Sequence, residues 1–342
     1  MRIVKVSSKK LILFASIATL FIFPLYFSIS YVKLNKSSEI YEKNNLRIST
    51  VYDTPIQIDD SPGSLNNWTW AKDQGYCTGS GTSGDPYKIK NHIFNTSAIS
   101  SSPLWIEDSF KYFIIENCHF IANPSYGGIY LRNVTNGIIK ANTNGANSGA
   151  LVYMRNSSYN TISNNIASNG GYGLVIGSVG PTRYNTISNN IISNNTSAGI
   201  NLRIGCDSNT IYGNVINDNV MGIDVDGSTT NNKIYLNCLN NTSNAIDDGT
   251  NNQWDNGNKG NYWEDYAGVD ANNDGIGDTA YIISGSAGSQ DNYPLMKCPE
   301  GGAGGEIPGY NIAILASSLL ALIFSTIYSI LRKKRNNQTI LK

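Results

Sequence analysis

The chain has 342 residues, with 25 Lys and Arg against 25 Asp and Glu. The charges are unevenly spread: nine cations lie in two terminal tails, leaving 16 cationic against 25 anionic side chains between them, a net −9. A surface of that sign repels phosphate backbones, which argues against a nucleic-acid partner.

The first element, within residues 1–32, is an apolar segment from Leu11 to Val32 preceded by Arg2, Lys5, Lys9 and Lys10. It is long enough to span a bilayer and fits either a secretory signal, cleaved near Ser28-Ile-Ser30, or an uncleaved N-terminal anchor. Residues 33–55 are polar and patternless and read as a stalk. Residues 56–103, with Trp68 and Trp70 inside and Trp105 just beyond, are expected to cap the open end of the repeat region, because an exposed last coil is a sheet edge.

Residues 104–250 repeat. Ile114, Ile138, Ile162, Ile187, Ile211 and Ile234 recur at gaps of 24, 24, 25, 24 and 23 residues, four of them in near-copies of one phrase: Asn160-Thr-Ile-Ser-Asn-Asn165, Asn185-Thr-Ile-Ser-Asn-Asn190, Asn209-Thr-Ile-Tyr-Gly-Asn214 and Asn232-Lys-Ile-Tyr-Leu-Asn237. A fixed period of this size means stacked units. Apolar and polar residues alternate inside each unit, as in Gly128-Ile-Tyr-Leu-Arg132, so the units are strands rather than helices. The expected fold is all-β, a right-handed parallel β-helix of six to seven coils of about 24 residues. Asn117, Asn142, Asn165, Asn190, Asn214 and Asn237 form a second column. Asn tolerates the left-handed corner, and stacked amides bond from coil to coil, so an Asn ladder is expected.

Alternation places Ile129/Leu131, Val152/Met154, Leu174/Ile176, Ile200/Leu202 and Ile223/Val225 inside. Tyr130/Arg132, Tyr153/Arg155, Val175/Gly177, Asn201/Arg203 and Asp224/Asp226 then share one outer face. Tyrosines, arginines and carboxylates in a row suit a sugar chain by ring-stacking and bidentate hydrogen bonds. Asp224 and Asp226, with Arg203 one coil back, are the cluster that a polysaccharide lyase or hydrolase would need.

Five cysteines, Cys77, Cys118, Cys206, Cys238 and Cys298, leave at least one unpaired within the chain. Cys118 and Cys238 each follow an Asn of the ladder, in a column expected to point inward, and five coils hold them roughly 24 Å apart, beyond disulfide reach. Both read as small core residues, and a bridge using Cys77, Cys206 or Cys298 stays open.

Residues 251–298 read as a separate aromatic and Asp-rich module. Asp270, Asn272, Asp274, the carbonyl of Ile276 and Asp278, with Gly275 at the sixth place, match the first nine positions of a calcium loop. Tyr281 replaces the Glu of position twelve, and no helical pattern flanks the loop. A flexible linker follows at 299–309 and a transmembrane helix at 310–332, whose apolar run is Ile312 to Leu331. The basic tail 333–342 continues Arg332-Lys-Lys-Arg335, which fixes the C-terminus as cytoplasmic and everything between the two apolar segments as outside, at the cell surface. Asn67, Asn95, Asn133, Asn156, Asn194, Asn195, Asn240 and Asn241 head Asn-x-Ser/Thr sequons, so the pattern permits glycosylation. Copper is not expected on ligand supply: His92, His119, four Met and five Cys show no metal-binding spacing, and His119 should face solvent.

The Asn-Thr-Ile-Ser-Asn-Asn phrases, Gly79-Ser-Gly-Thr82, Asp85-Pro-Tyr87 and the closing run Trp254-Asp255, Gly260-Asn-Tyr-Trp263, Asp265-Tyr266, Asp270 to Asp278 and Asp291-Asn-Tyr-Pro-Leu295 resemble the NosD-like β-helix proteins, common on archaeal cell surfaces. The resemblance covers about Ile56 to Met296. It implies the fold, export and a calcium loop. The family's name comes from a periplasmic protein implicated in assembling the copper centre of nitrous-oxide reductase, and this chain lacks an evident copper ligand cluster. The expected function is a membrane-anchored surface protein that binds glycans or envelope components. A surface polysaccharide lyase or hydrolase, and an accessory factor for copper-enzyme maturation, are the alternatives.

Overall fold

The structure is a computed structural model and describes residues 50–299 except Asn147. The apolar segments, residues 33–49 of the stalk, the linker from residue 300 and the basic tail lie outside the described residues. No helix among the described residues is long and apolar enough to cross a membrane.

Three parallel sheets of nine, eight and seven strands share one core, and each coil gives one strand to each sheet. The expected parallel β-helix is present, with about seven coils. In the seven-stranded sheet the inward column is Ile89, Ile115, Ile139, Ile162, Ile187, Ile211 and Ile234, each at most 1% exposed. Ile114 and Ile138, expected in that column, face outward instead, Ile138 at 38% exposure. Both belong to Ile-Ile doublets, and a slip of one residue reverses the side-chain direction. A strict 24-residue gap selects the wrong member of each.

The corner and the ladder prove to be adjacent columns. Asn117, Ala141, Asn164, Asn189 and Leu236 hold the left-handed corner, with φ between 53° and 56°. The following residues make the ladder. Asn142, Asn165, Asn190 and Asn214 each donate Nδ2–H to Oδ1 of the Asn on the next coil, at 3.1, 2.9, 2.9 and 2.9 Å. Each Oδ1 also accepts the main-chain N–H of the coil before it, and each Nδ2 donates to a main-chain carbonyl of that coil, as Asn190 does to Ile162 at 3.0 Å. The amide is thereby saturated in a dry core, where an unpaired polar group would be costly. Asn117 is therefore a corner residue. Its place in the ladder is taken by Cys118, whose main-chain N–H donates to Asn142 Oδ1 at 3.0 Å.

Two further ladders run alongside. Asn160, Asn185, Asn209, Asn232 and Asn252 link at 2.9–3.2 Å, and Asn195, Asn219 and Asn241 at 2.9 Å. All three end on carboxylates, which accept and do not donate. Asp291 Oδ2 takes the Asn261 N–H at 2.7 Å, Asp247 Oδ1 takes Asn252 Nδ2–H at 3.0 Å, and Asp265 Oδ1 takes Asn244 Nδ2–H at 2.8 Å at the end of the third.

The solenoid starts earlier and ends later than the repeat suggests. Thr50–Tyr52, at the end of the expected stalk, pairs with His92–Asn95, and Ile56–Asp59 pairs with Leu104–Ser109. Residues 56–103 thus contribute strands to all three sheets, and the capping falls to one short helix, Trp68–Asp73. Asn67 caps this helix by accepting Trp70 N–H at 3.1 Å, and the helix buries Trp68 flat against Tyr87, with ring centroids 4.7 Å apart. At the other end Tyr262–Trp263 is the ninth strand of its sheet, and Trp263 stacks on Tyr281 at 4.1 Å. The expected separate module is therefore continuous with the last coil.

Cys238 corrects another expectation. Its column, Ile166, Ile191, Val215 and Cys238, is the outward one of the nine-stranded sheet, while Ile192, Ile216 and Leu239 point in with no exposure. An outward thiol on the last full coil can reach the closing segment, and Cys238 forms a disulfide with Cys298, 60 residues on. Cys77, Cys118 and Cys206 are free and buried, and burial pushes their thiols up to about 11, 12 and 12.

Candidate ligand-binding face

The eight-stranded sheet carries the outer row. Ile129, Leu131, Val152, Met154, Leu174, Ile176, Ile200, Leu202, Ile223 and Val225 are all fully buried. Alternation then turns their neighbours outward, and the register stacks Tyr130 on Tyr153, Val175, Asn201 and Asp224, and Arg132 on Arg155. One coil earlier the same rows hold Trp105 and Glu107, two residues absent from the row expected on sequence grounds. Their signal is present in the spacing: Trp105 and Glu107 lie 25 residues before Tyr130 and Arg132, with the same alternation.

The rings pack against one another from coil to coil. Trp105 and Tyr130 have centroids 4.2 Å apart, and Tyr130 and Tyr153 5.5 Å. Tyr130 and Tyr153 lie nearly parallel at 19° while Trp105 is tilted 42° to Tyr130, and hydroxyls and guanidiniums are presented along the row. Arg155 donates to the Tyr130 hydroxyl at 3.0 Å and to Ser178 Oγ at 2.9 Å. Arg203 reaches back two coils to the Tyr153 hydroxyl at 3.2 Å and donates Nε–H to Asn201 Oδ1 at 2.8 Å. Both guanidiniums lie over Tyr153, 5.7 and 5.9 Å from its ring centre, and Arg203 also lies 5.4 Å from the ring of Tyr172. Arg132 is ion-paired with Glu107, which Gln57 also contacts at 2.6 Å. A shallow groove of about 460 Å³ runs beside this row, lined by Asp108, Arg132, Asn133, Arg155, Asn156, Val179 and Gly180.

At the far end, Asn201 is outward yet only 7% exposed, and it donates to Asp224. Burial raises the Asp224 carboxyl above the usual range, against the lowering effect of that bond. Asp226 lies just beyond the strand and is exposed, accepting Ser228 N–H at 3.2 Å. The register thus brings Asp224 and Asp226 to one end of the row, but Arg203 turns from them toward Tyr153.

The family model described as "Periplasmic copper-binding protein (NosD)" matches residues 30–214 and 177–268, more than half of the chain. The chain belongs to the NosD family. That description is of a periplasmic family, which accords with the export read from the sequence. No curated relative matches the chain. Among solved structures, the A-module of the mannuronan C-5 epimerase of Azotobacter vinelandii is similar at 15% identity, covering 51% of each chain with a TM-score of 0.36. A pectate lyase is similar at 13% identity, covering 77% of this chain and 82% of its own, with a TM-score of 0.41. The tailspike protein of an E. coli bacteriophage, in complex with a pentasaccharide, is similar at 14% identity, covering 51% and 42%, with a TM-score of 0.35. These likenesses are of fold, and the chain spans about half the length of the epimerase module.

The copper in the NosD description can be tested against the donors here. Among the described residues no three His, Cys, Asp or Glu side chains gather where a metal ion could be held. The free thiols are buried and held protonated by that burial, whereas copper takes the thiolate. His119 corrects the expectation of exposure: it is 8% exposed, its Nδ1 is 2.6 Å from Thr143 Oγ1, and burial pushes its pKa down to about 4. It lies in the same outward column as Cys238 but is covered. The described donors do not fit a copper centre.

In the calcium-like loop, Asp270 accepts the N–H groups of Asp274 and Gly275 at 3.1 and 2.8 Å, Asp274 accepts that of Ile276 at 2.9 Å, and Asp278 accepts that of Ala271 at 2.9 Å. Asn272 donates to Asp274 at 3.0 Å. Gly275 has φ +85° and open space around it, the conformation that a sharp turn at the sixth place needs.

Proposed function

We propose that this NosD-family chain is a membrane-anchored cell-surface protein that binds glycans or envelope components on the outer face of its eight-stranded sheet, without cleaving them. The single observation carrying this reading is the cluster of Trp105, Tyr130, Tyr153, Arg155 and Arg203 on one outer face, in which guanidiniums and hydroxyls are tied from coil to coil by hydrogen bonds before any ligand arrives. Such preorganisation lowers the ordering cost of binding. The anchor assigned to 310–332 would present this face outward.

Catalysis is the weaker reading, because Arg203, the base it would need, is bonded to Asn201 and Tyr153. The two are separated by offering the full chain in detergent a panel of immobilised glycans. Retention without product, with at least a ten-fold loss in Arg155→Gln, is expected from the loss of a charge-assisted bond. Product that disappears in Asp224→Ala would overturn the binding reading in favour of the enzyme. One equivalent of copper kept after dialysis would overturn it in favour of the maturation role.

Calcium is proposed for Asp270, Asn272, Asp274, the Ile276 carbonyl and Asp278, favoured by the left-handed Gly275 at the sixth place. Binding requires the carboxylates to turn inward from the amides they now accept. At 100 times its Kd a ligand stabilises by about 2.7 kcal/mol, so chelation should lower the melting temperature, and Asp274→Ala should abolish the difference. Equal melting with and without chelator would remove the site.

A further inference from the structure

Resting on the binding reading above, we infer that the glycan taken by this face is acidic, and that its carboxylate or sulfate group sits at Arg155 and Arg203 beside Tyr153. The inference comes from an imbalance of charge. Arg132 and Arg183 have carboxylate partners, Glu107 and Asp207. Among the described residues Arg155 and Arg203 make no ion pair, although both are half-buried and lie within 6 Å of the centre of one ring. Arg155 is moreover stacked in register on Arg132, a like charge.

Two cations held together at partial burial repel, and nothing in the core requires them: their side chains cover the outer surface of strands that Met154 and Leu202 already seal from within. Their protein bonds are to neutral acceptors, the hydroxyls of Tyr130, Tyr153 and Ser178 and the amide of Asn201. Those bonds aim the guanidiniums without an ion pair; the Asp224 carboxylate, held through Asn201, feels the charge of Arg203 but makes no direct bond to it. The Nε–H of Arg155 is left with no acceptor. Between them in the row stands Gly177, where a Cβ would meet Arg203 O and Cys206 Sγ, both at 2.7 Å, so no side chain can rise there to fill the gap or supply a counter-charge. An acceptor-rich anion completes this arrangement, because guanidinium prefers planar bidentate oxyanions. The stretch between the two terminal tails is net anionic, so the Arg155 and Arg203 pair is a local reversal of sign that favours an acidic polymer at this point of the row.

The test uses the full chain in detergent with polygalacturonate and with the same polymer after its carboxyls are reduced to alcohols. Retention of the acid form at least ten-fold above the reduced form is expected, falling steeply as salt is raised from about 50 to about 500 mM. Arg155→Gln with Arg203→Gln should erase the difference, and Arg155→Lys should recover part of it, which a merely structural role would not do. Unchanged melting in the variants confirms that the fold persists; if the double variant melts early, Arg155→Lys alone carries the comparison. Equal retention of both polymers would overturn the acidic assignment and leave the glycan-binding reading standing. Retention of neither polymer, nor of sulfated dextran, would overturn the acidic assignment, and failure of the wider glycan panel as well would overturn the binding reading. Binding of an acidic peptide in place of every polymer would assign the face to a protein partner.

Discussion

Replacing Asn190 by aspartate should cost about 3–5 kcal/mol, close to the loss from breaking a buried polar pair. The change is nearly isosteric, so packing alone predicts little. In the native chain Asn190 Nδ2 donates to Ile162 O at 3.0 Å and to Asn214 Oδ1 at 2.9 Å. A carboxylate there faces two acceptors with no proton to share, in a position 1% exposed. Asn189 supplies the control. It is the adjacent residue, exposed, at the left-handed corner with φ 55°, and Asn189→Asp should cost well under about 1 kcal/mol, since Asp tolerates that conformation. Denaturant midpoints for the two variants decide the matter, and equal losses would mean that the ladder contributes no more than an ordinary surface amide.

Acid should destabilise the parent chain between pH 6.5 and about 4, and His119 should account for up to about 3 kcal/mol of the loss. The sign follows from burial. The folded imidazole is held neutral down to about 4, whereas its ordinary value is 6.5, so the unfolded chain takes up the proton first as the pH falls. Stability from this group is complete above pH 6.5, drains away toward about pH 4 and is level below. His119→Leu removes the titration, and its stability should therefore depend less on pH across that window. His92, whose pKa burial also lowers, and Glu116, whose carboxyl burial would raise but bonds from Lys90 and Lys140 hold low, remain in both proteins and cancel in the comparison. Parallel stability curves for parent and variant would show that His119 is solvated.

The fold was legible because a solenoid writes its geometry as a period. The six Ile positions and the Asn column sufficed to show parallel coils, and the inward and outward rows of the eight-stranded sheet follow from simple alternation. What the period could not resolve was the single residue. Ile-Ile doublets at 114–115 and 138–139, and the Asn-Cys pair at 117–118, each offer two neighbours for one column, and coils of 23 to 25 residues blur the choice. One of the two other Asn ladders was visible in principle, since the repeated phrase begins with an Asn as well as ending with one, and the third, Asn195, Asn219 and Asn241, lies outside the phrase but recurs at gaps of 24 and 22. The reach of Arg203 across two coils, the packing of Trp105, Tyr130 and Tyr153 against one another, and the exit of Cys238 toward Cys298 were not visible. They depend on side-chain direction, which a repeat count does not contain.

The ladders have a polarity: of the two hydrogens on each side-chain amide, one goes to a main-chain carbonyl of the coil before and the other to the Asn of the coil that follows, so any last coil would offer an unsatisfied donor to whatever chain came next. Asp247, Asp265 and Asp291 act as terminators, ending three self-templating rows with groups that have nothing further to give. A chain built this way can gain or lose whole coils without redesign of its interior, and the three end-stops deny its last coil to a further chain.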